Sequence, residues 1–137
     1  RHDVVVFAHK SHPLAKRKSI RIEELERERM VLRESGSTTR RALEAALDKH
    51  GVTVDPVMEI GSREAVWLAV ARGIGLGVVS DIEFIPRPDL RTIAIENADI
   101  HTTAHVNCLM ERRESRMISA FFEVAAETRK LRQTEPA

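Results

Sequence analysis

The sequence has few of the residues that mark disulfide-bonded, membrane-spanning or nucleic-acid-binding proteins. Its single cysteine, Cys108, excludes an internal disulfide and is compatible with a reducing, cytoplasmic compartment. No run of about 18 apolar residues is present, so we expect no contact with a membrane. No charged segment followed by an apolar one opens the chain, as a signal peptide would. The formal net charge of +1 argues against a large basic surface for nucleic acid.

Aromatic residues are also scarce, at 4% with no tyrosine, so aliphatic packing must dominate the core. Hydrophobic residues make up 42% and charged residues 31% of the sequence, which is ordinary for a soluble globular protein, and its 137 residues suit one compact domain or one and a half small ones. The chain begins without an initiator methionine and enters an apolar run almost at once. We therefore expect it to be a piece of a longer protein.

Apolar runs and helical patterns alternate along the first 80 residues. This order predicts an α/β fold, with a mixed, mainly parallel sheet and helices on both faces. The glycines of "IGLGVVS" predict a close approach to the backbone of that strand. The predicted strands cover residues 4–8, 30–34, 54–60 and 74–80, and the predicted helices cover residues 38–50 and 63–72, with a short helical turn at 22–25.

The last third of the chain has a different pattern. Val106, Cys108 and Met110 alternate with polar residues, which predicts a strand with Cys108 as a buried small hydrophobe. A helix is predicted over residues 116–131, and we expect the tail at 132–137 to be disordered. The helix has an apolar stripe that needs a partner surface, formed by Met117, Ile118, Phe121, Phe122 and Ala125.

Small hydroxylated residues stand where two predicted strands end and helices begin. Helix amino termini offer unpaired N–H groups and a partial positive charge, and in an α/β sheet the carboxyl ends of strands form the ligand crevice. Arg63 begins the second helix and could bind an anion in a bidentate manner, as could Arg33. The sequence thus predicts an anion or carboxylate site made of Ser35, Gly36, Ser37, Thr38, Thr39, Ser62, Arg63 and Ser80.

Helix capping is the alternative explanation of both turns. Ser, Thr and Gly are common cap residues, and capping alone is the favoured interpretation of Ser62. The first turn carries four hydroxyls, more than a cap needs. Arg40 and Arg41 are predicted to lie on the outer, solvated side of their helix. The acidic residues at the same strand ends could pair the arginines or bind a ligand's ammonium group; they are Glu34, Glu64 and Asp81.

The sequence gives little support for a catalytic site or a metal site. A serine nucleophile needs a histidine base, and His50 lies at the far end of its helix, roughly 18 Å from Ser37 at 1.5 Å per residue. His101 and His105 have a spacing that binds metal on a helix, but they stand in a predicted loop and strand. We therefore expect no catalytic residues, no metal and no cofactor.

The order of the motifs resembles the effector-binding domain of LysR-type transcriptional regulators. The similar pieces are "VVVFAHKSHPLAKRKSIRIEEL", "MVLRESGSTTRRALEAAL", "EIGSREAVWLAVARGIGLGVVSD" and "HVNCLMERRESRMISAFFEVAAE", which cover nearly the whole chain. The resemblance implies a periplasmic-binding-protein-like (type 2) fold, in which two lobes enclose a small effector. It also implies a bacterial regulator that is no enzyme, assembles as a homodimer or homotetramer, and binds DNA through an amino-terminal helix-turn-helix.

Aligned with that pattern, residues 1–9 form the first crossing strand and residues 10–100 the second lobe. Residues 101–137 then hold the return strand, at about 105–112, and a final helix that packs on the first lobe. That lobe and the DNA-binding region are missing from this sequence.

"ESGSTTR", "EIGSREAV", "GVVSDIEFIPRPDLR" and "HVNCLMERR" together resemble the regulators associated with 2-aminoethylphosphonate catabolism. That resemblance implies a phosphonate-like effector. Ser80 stands where many family members carry proline, which adds a hydrogen-bonding group at the crevice. Two other functions stay open: a solute-binding protein of the same fold, and a small-substrate transferase with Ser35 or Ser37 as nucleophile.

Overall fold

The computed structural model describes residues 1–134, with side chains for residues 1–130. The chain divides into two compact units, of which the first is Arg1–Thr103 and the second begins at Ala104. No helix among the described residues is long and apolar enough to cross a membrane.

The first unit contains seven strands and two α-helices. The strands are β1 (His2–His9), β2 (Ser19–Ile20), β3 (Met30–Arg33), β4 (Pro56–Ile60), β5 (Gly77–Ser80), β6 (Leu90–Ile95) and β7 (His101–Thr102). The α-helices are α1 (Thr38–His50) and α2 (Arg63–Ala71), and short 3-10 helices lie at Pro13–Lys16, Ile22–Arg27 and Asp81–Glu83.

The strands form two sheets: a five-stranded mixed sheet with β1 at its centre, and a two-stranded parallel sheet of β3 and β4. The hydrogen-bonded order is β2-β6-β1-β5, and β7 also pairs with β1. All pairings of β1 are antiparallel, whereas β2 pairs with β6, and β3 with β4, in parallel. A parallel bridge between Met30 and Leu76 connects β3 to the start of β5. The α/β class is confirmed. The larger sheet contains more antiparallel pairing than the expected mainly parallel arrangement, because β1 runs antiparallel to both β5 and β6.

Helices α1 and α2 begin at the serines that the sequence indicated. Ser37 and Ser62 are the N-cap residues, and their side chains accept hydrogen bonds from Arg40 N and Ala65 N respectively. Helix α1 ends at Gly51, whose φ of 66° is a left-handed conformation that glycine adopts without strain. The bounds predicted for α1 are therefore confirmed.

Two hydrophobic clusters lie on opposite faces of β1. Val4, Val6 and Ala8 belong to the cluster that contains the buried residues of α1, whereas Phe7 belongs to the cluster that contains the buried residues of α2. Since successive side chains of a strand point to opposite faces, the two helices cover the sheet from both sides. In the second cluster the Trp67 ring centroid lies 5.0 Å from that of Phe7 and 5.2 Å from that of Phe84.

The close approach predicted at the glycines before and within β5 is confirmed. A Cβ atom on Gly75 would collide with the carbonyl group of Arg29, and one on Gly77 would collide with the ring of Phe7. The groups that approach the backbone here are thus the protein's own.

Strand β4 forms where a strand was predicted, but two of its apolar side chains are exposed. Val57 and Met58 are 44% and 38% exposed. The reason is topological, because β4 pairs only with β3 and so forms an edge. An apolar run does not distinguish a central strand from an edge strand.

The second unit contains a 3-10 turn at Met110–Arg112 and helix α3 (Arg116–Thr134). The predicted strand at 105–112 is not found, since residues 104–109 pair with no strand in the described chain. Cys108 is exposed, so its expected burial is wrong. Helix α3 starts as predicted but continues to Thr134, so the expected tail is helical at 132–134, and residues 135–137 lie outside the described residues. Most of the apolar stripe is exposed.

Candidate functional site

A cavity of about 270 Å³ lies where β3 and β5 end and where α1 and α2 begin. Its wall combines hydroxyl, charged and apolar side chains. The lining residues are Arg33, Gly36, Ser37, Thr38, Thr39, Arg63, Val66, Trp67, Val78, Val79 and Glu83.

Five of the eight predicted site residues line this cavity: Gly36, Ser37, Thr38, Thr39 and Arg63. Three do not. Ser35 is exposed in the turn before α1, and Ser62 is exposed at the start of α2. The Ser62 hydroxyl caps Ala65 N at 3.3 Å and donates to Glu64 Oε2 at 2.8 Å, which agrees with the capping interpretation of this residue.

The hydroxyls of the first turn are mostly unengaged. Ser37 Oγ accepts from Arg40 N at 3.5 Å, a long cap bond. Ser35, Thr38 and Thr39 make no side-chain hydrogen bond within the described residues. Capping therefore accounts for one of the four hydroxyls, and Thr38 and Thr39 stand on the cavity wall with their donors available.

Each arginine of the cavity has a carboxylate partner. Arg33 binds Glu34 through two hydrogen bonds, from Nε at 2.8 Å and from Nη2 at 2.9 Å. This pairing lowers the pKa of the Glu34 carboxyl and raises the pKa of the Arg33 guanidinium. Arg63 Nη2 lies 2.8 Å from Glu83 Oε1. An incoming anion would thus meet arginines that are already paired.

The remaining strand-end acids have local partners. Glu64 accepts from its own backbone N–H and from Ser62, and both bonds lower the pKa of its carboxyl. Asp81 accepts from Ile82 N at 2.6 Å and lies 4.0 Å from His2 Nδ1. Among the described residues, no group of three or more histidine, cysteine, aspartate or glutamate side chains could hold a metal ion.

Ser80 is placed at the end of β5 but not on the cavity wall. The residue is 4% exposed, and its hydroxyl has no hydrogen-bond partner. It is the sole buried side-chain polar atom in the described residues without one. A buried hydroxyl in this condition costs folding free energy, which makes Ser80 a point of interest beside the cavity.

The sequence-based prediction missed the apolar wall and Glu83. Val66 and Trp67 stand three and four residues after Arg63, so helical spacing could have placed them on the same face. Val78 and Val79 precede Ser80 in a strand that had been predicted. No sequence pattern marked Glu83, because its place on the wall depends on the 3-10 turn that follows β5.

A second cavity, of about 290 Å³, lies between α1 and the segment before β7. Its wall contains three alanines of α1 together with Lys49, His50, Asp99 and His101, and it holds no arginine. The predicted site residues are absent from this wall, so the first cavity is the candidate site.

The family model described as LysR substrate binding domain matches residues 1–130. Among curated proteins, the HTH-type transcriptional activator CmpR of Synechocystis is 42% identical over 77 residues, which are 56% of this chain and 25% of that protein. The HTH-type transcriptional regulator CbbR of Xanthobacter flavus is 38% identical over 100 residues, 72% of this chain and 27% of that protein. The chain thus spans about a quarter of the length of these relatives.

Solved structures of regulatory and effector-binding domains have a similar fold. The CcmR regulatory domain of Synechocystis, in complex with 2-PG, is 28% identical, with a TM-score of 0.69 over 90% of this chain and 61% of that one. The BenM effector binding domain with benzoate has a TM-score of 0.72 over 99% of this chain and 64% of that one, and its 20% identity supports the fold alone. The fold is periplasmic-binding-protein-like, and the chain belongs to the LysR substrate-binding domain family.

Proposed function

We propose that this chain senses a small anionic effector, phosphonate-like or carboxylate, in the cavity at the start of α1 and α2. The observation that carries the proposal is the unengaged hydroxyl pair, Thr38 and Thr39, on the same cavity wall as Arg63. Nothing in the described chain uses these donors.

The chemistry of the wall suits one anionic group. The first turn of α1 offers backbone N–H groups without helical partners and the positive end of the helix dipole. The two threonine hydroxyls add donors, and Arg63 can supply a charge-assisted bond. Val66, Trp67, Val78 and Val79 supply an apolar wall for the rest of a small molecule.

The pairing of opposite charges on the wall supports a zwitterionic effector as the finer ligand identity. An effector such as 2-aminoethylphosphonate has an anionic group for Arg63 and an ammonium group for Glu83, the carboxylate of the lining. The CcmR regulatory domain, 28% identical to this chain, is known in complex with 2-PG. That complex supports a small ligand in a domain of this kind.

The role in the whole protein is that of a transcriptional regulator, as in the curated relatives. The chain would act in the cytoplasm, without catalysis and without a cofactor, in a homodimer or homotetramer that binds DNA through a helix-turn-helix preceding this chain. An effector that prefers one arrangement of two lobes would shift the regulator between states on DNA.

The lobe assignment is part of the same proposal. Residues 1–9 and about 105–112 would cross between lobes, and residues 10–100 would form the second lobe. The exposed stripe of α3, which includes Met117 at 79% and Phe121 at 59% exposure, would pack on the first lobe. Hydrogen exchange of α3 in a chain that includes the preceding residues would test this, since protection of α3 should increase there.

Ligand-dependent thermal stability tests the anion site. Phosphate, 2-aminoethylphosphonate and acetate should each be added up to millimolar concentrations. A ligand at ten times its dissociation constant raises the free energy of unfolding by about 1.4 kcal/mol, which raises the melting temperature by a few degrees. Thr38→Phe should abolish the shift in melting temperature, because the phenyl ring would occupy the cavity. Thr53→Phe, at an exposed threonine outside the cavity, is the matched control and should preserve it. No shift with any of the three anions would contradict the proposal.

A further inference from the structure

Arg40, the third residue of α1, is bound on three sides. Its Nη1 donates to the Arg33 carbonyl oxygen at 2.6 Å and to Glu59 Oε2 at 2.5 Å, and its Nε donates to Glu44 Oε1 at 2.7 Å. The side chain is only 12% exposed. The expectation of a solvated arginine on the outer side of the helix is therefore wrong for this residue.

These bonds connect three elements around the turn that lines the cavity. Glu44 belongs to α1 itself, Glu59 to the edge strand β4, and the Arg33 carbonyl ends β3. The segment from Glu34 to Ser37 runs from that carbonyl to the helix that carries Arg40. One guanidinium thus joins the two ends of this turn and fixes both to the neighbouring strand. Its hydrogen bonds to Glu59 and Glu44 raise the pKa of Arg40, so the group stays charged.

Other contacts hold the turn less firmly. Ser37 N donates to the Glu34 carbonyl at 2.9 Å, and the cap bond from Arg40 N to Ser37 Oγ is 3.5 Å long. The charge-assisted bonds of Arg40 are shorter, and bonds of that type are roughly twice as strong as neutral ones. Because Arg40 supplies this restraint, the side chains of Ser35, Thr38 and Thr39 are not needed for it.

We propose that Arg40 is a positioning residue for the anion site. It holds the Glu34–Ser37 turn in the shape that presents the hydroxyls of Thr38 and Thr39 to the cavity, without contacting the ligand itself. The inference rests on the proposed function of the cavity and adds to it the residue that preorganises the wall. Arg40 is not a lining residue of the cavity, so its effect must be transmitted through the turn.

Two single substitutions separate positioning from charge. Glu59→Gln weakens the tie of Arg40 to β4, whereas Glu44→Gln weakens only the bond within α1, and each removes one negative charge and one ion-pair partner of the same guanidinium. If the two acids act through their charge, both substitutions raise the affinity for inorganic phosphate. If Arg40 instead positions the turn through its bond to Glu59, Glu59→Gln should lower the phosphate affinity about threefold to tenfold, and Glu44→Gln should leave it within about twofold.

Arg40→Lys completes the set, because lysine keeps the charge but lacks the planar fork that serves several acceptors. It should lower phosphate affinity and, in the ligand-free protein, speed amide hydrogen exchange at residues 35–40 more than elsewhere in α1. Equal phosphate affinities for the Glu59→Gln and Glu44→Gln proteins, or unchanged exchange in the Arg40→Lys protein, would overturn the inference. If the unsubstituted protein binds no phosphate, acetate or 2-aminoethylphosphonate, the proposed function fails, and the exchange measurement still decides whether Arg40 orders the turn.

Discussion

Arg63 Nη2 lies 2.8 Å from Glu83 Oε1, and both side chains line the same cavity. The two side chains are 48% and 34% exposed, so solvent screens their attraction and the pair contributes little to folding stability. A weak pair of this kind is easily exchanged. An anion that enters the cavity can replace the Glu83 carboxylate as the partner of Arg63, which leaves Glu83 available for a positive group.

The first prediction concerns this exchange. Glu83→Gln should raise the affinity for inorganic phosphate by about twofold to fivefold, because the competing carboxylate and its repulsion of the anion are both removed. Asp89→Asn is the matched control, since Arg87 and Asp89 form an ion pair of 2.9 Å outside the cavity. Isothermal titration at low salt measures both affinities. An unchanged or lower affinity in the Glu83→Gln protein would show that Glu83 does not compete with the anion.

The second prediction concerns acid stability. The hydrogen bonds from Arg33 lower the pKa of Glu34 below its ordinary value of 4.5. A carboxyl whose folded pKa is depressed contributes stability that is present above the unfolded pKa and is lost as the pH falls through the folded pKa. Urea titrations between pH 6 and pH 2 should therefore show a free energy of unfolding that falls below about pH 4.5, and Glu34→Gln should make that fall shallower.

Arg33→Met should reproduce this shallower fall, since it removes the group that depresses the pKa of Glu34. Combining the two substitutions should flatten the profile no further than either alone. Additive effects would contradict the pairing as the cause. The effect should also shrink at high salt, because Glu34 is exposed to solvent on one side.

Local patterns predicted much of the fold. The serine before α1 and the glycine after it gave both ends of that helix, because capping and a left-handed stop are decided within a few residues. The alternation of strands and helices predicted a mainly parallel sheet, and β3 does pair with β4 in parallel, whereas the pairings of β1 are antiparallel. The glycines before and within β5 were also interpreted correctly, since a Cβ atom on Gly75 or Gly77 would collide with a neighbouring group.

Features that depend on distant neighbours were not predictable from one sequence. Helical periodicity places Arg40 on the outer side of α1, but it does not show that β4 brings Glu59 to that side. The exposure of β4 depends on its position at the edge of the sheet. Glu83 reaches the cavity wall through a 3-10 turn that no sequence pattern marked. The alternation of apolar and polar residues around Cys108 predicted a strand, but it did not specify another strand with which it would pair.

The third prediction tests the packing of β5. A Cβ atom on Gly77 would lie 2.5 Å from the Phe7 ring and 3.0 Å from Val70, both in the buried cluster under α2. Gly77→Ala should therefore reduce the free energy of unfolding by about 1–3 kcal/mol through overpacking. Gly36→Ala is the control, because nothing lies within 4 Å of its Cβ position. That substitution should change stability by less than about 0.5 kcal/mol, and equal losses in urea denaturation would contradict the packing argument.

The last prediction contrasts two serines that the sequence assigned to the site and that lie outside the cavity wall. Ser62 caps α2, so Ser62→Ala should cost about 1 kcal/mol of stability. Ser80 buries a hydroxyl without a partner, so Ser80→Ala removes a desolvated polar group and should stabilise the ligand-free protein by about 1 kcal/mol. The same truncation thus has opposite signs at the two positions, which urea denaturation measures directly.

Phosphate titrations of the same two proteins then show whether either serine serves the ligand. Ser80 lies outside the cavity wall in the ligand-free structure, so its hydroxyl affects affinity only if binding brings it into contact with the anion. A more stable Ser80→Ala protein with weaker phosphate binding would mean that the uncompensated hydroxyl is retained for the effector. A less stable Ser80→Ala protein would show instead that the hydroxyl is satisfied in solution, because only a satisfied donor loses a favourable bond when it is removed.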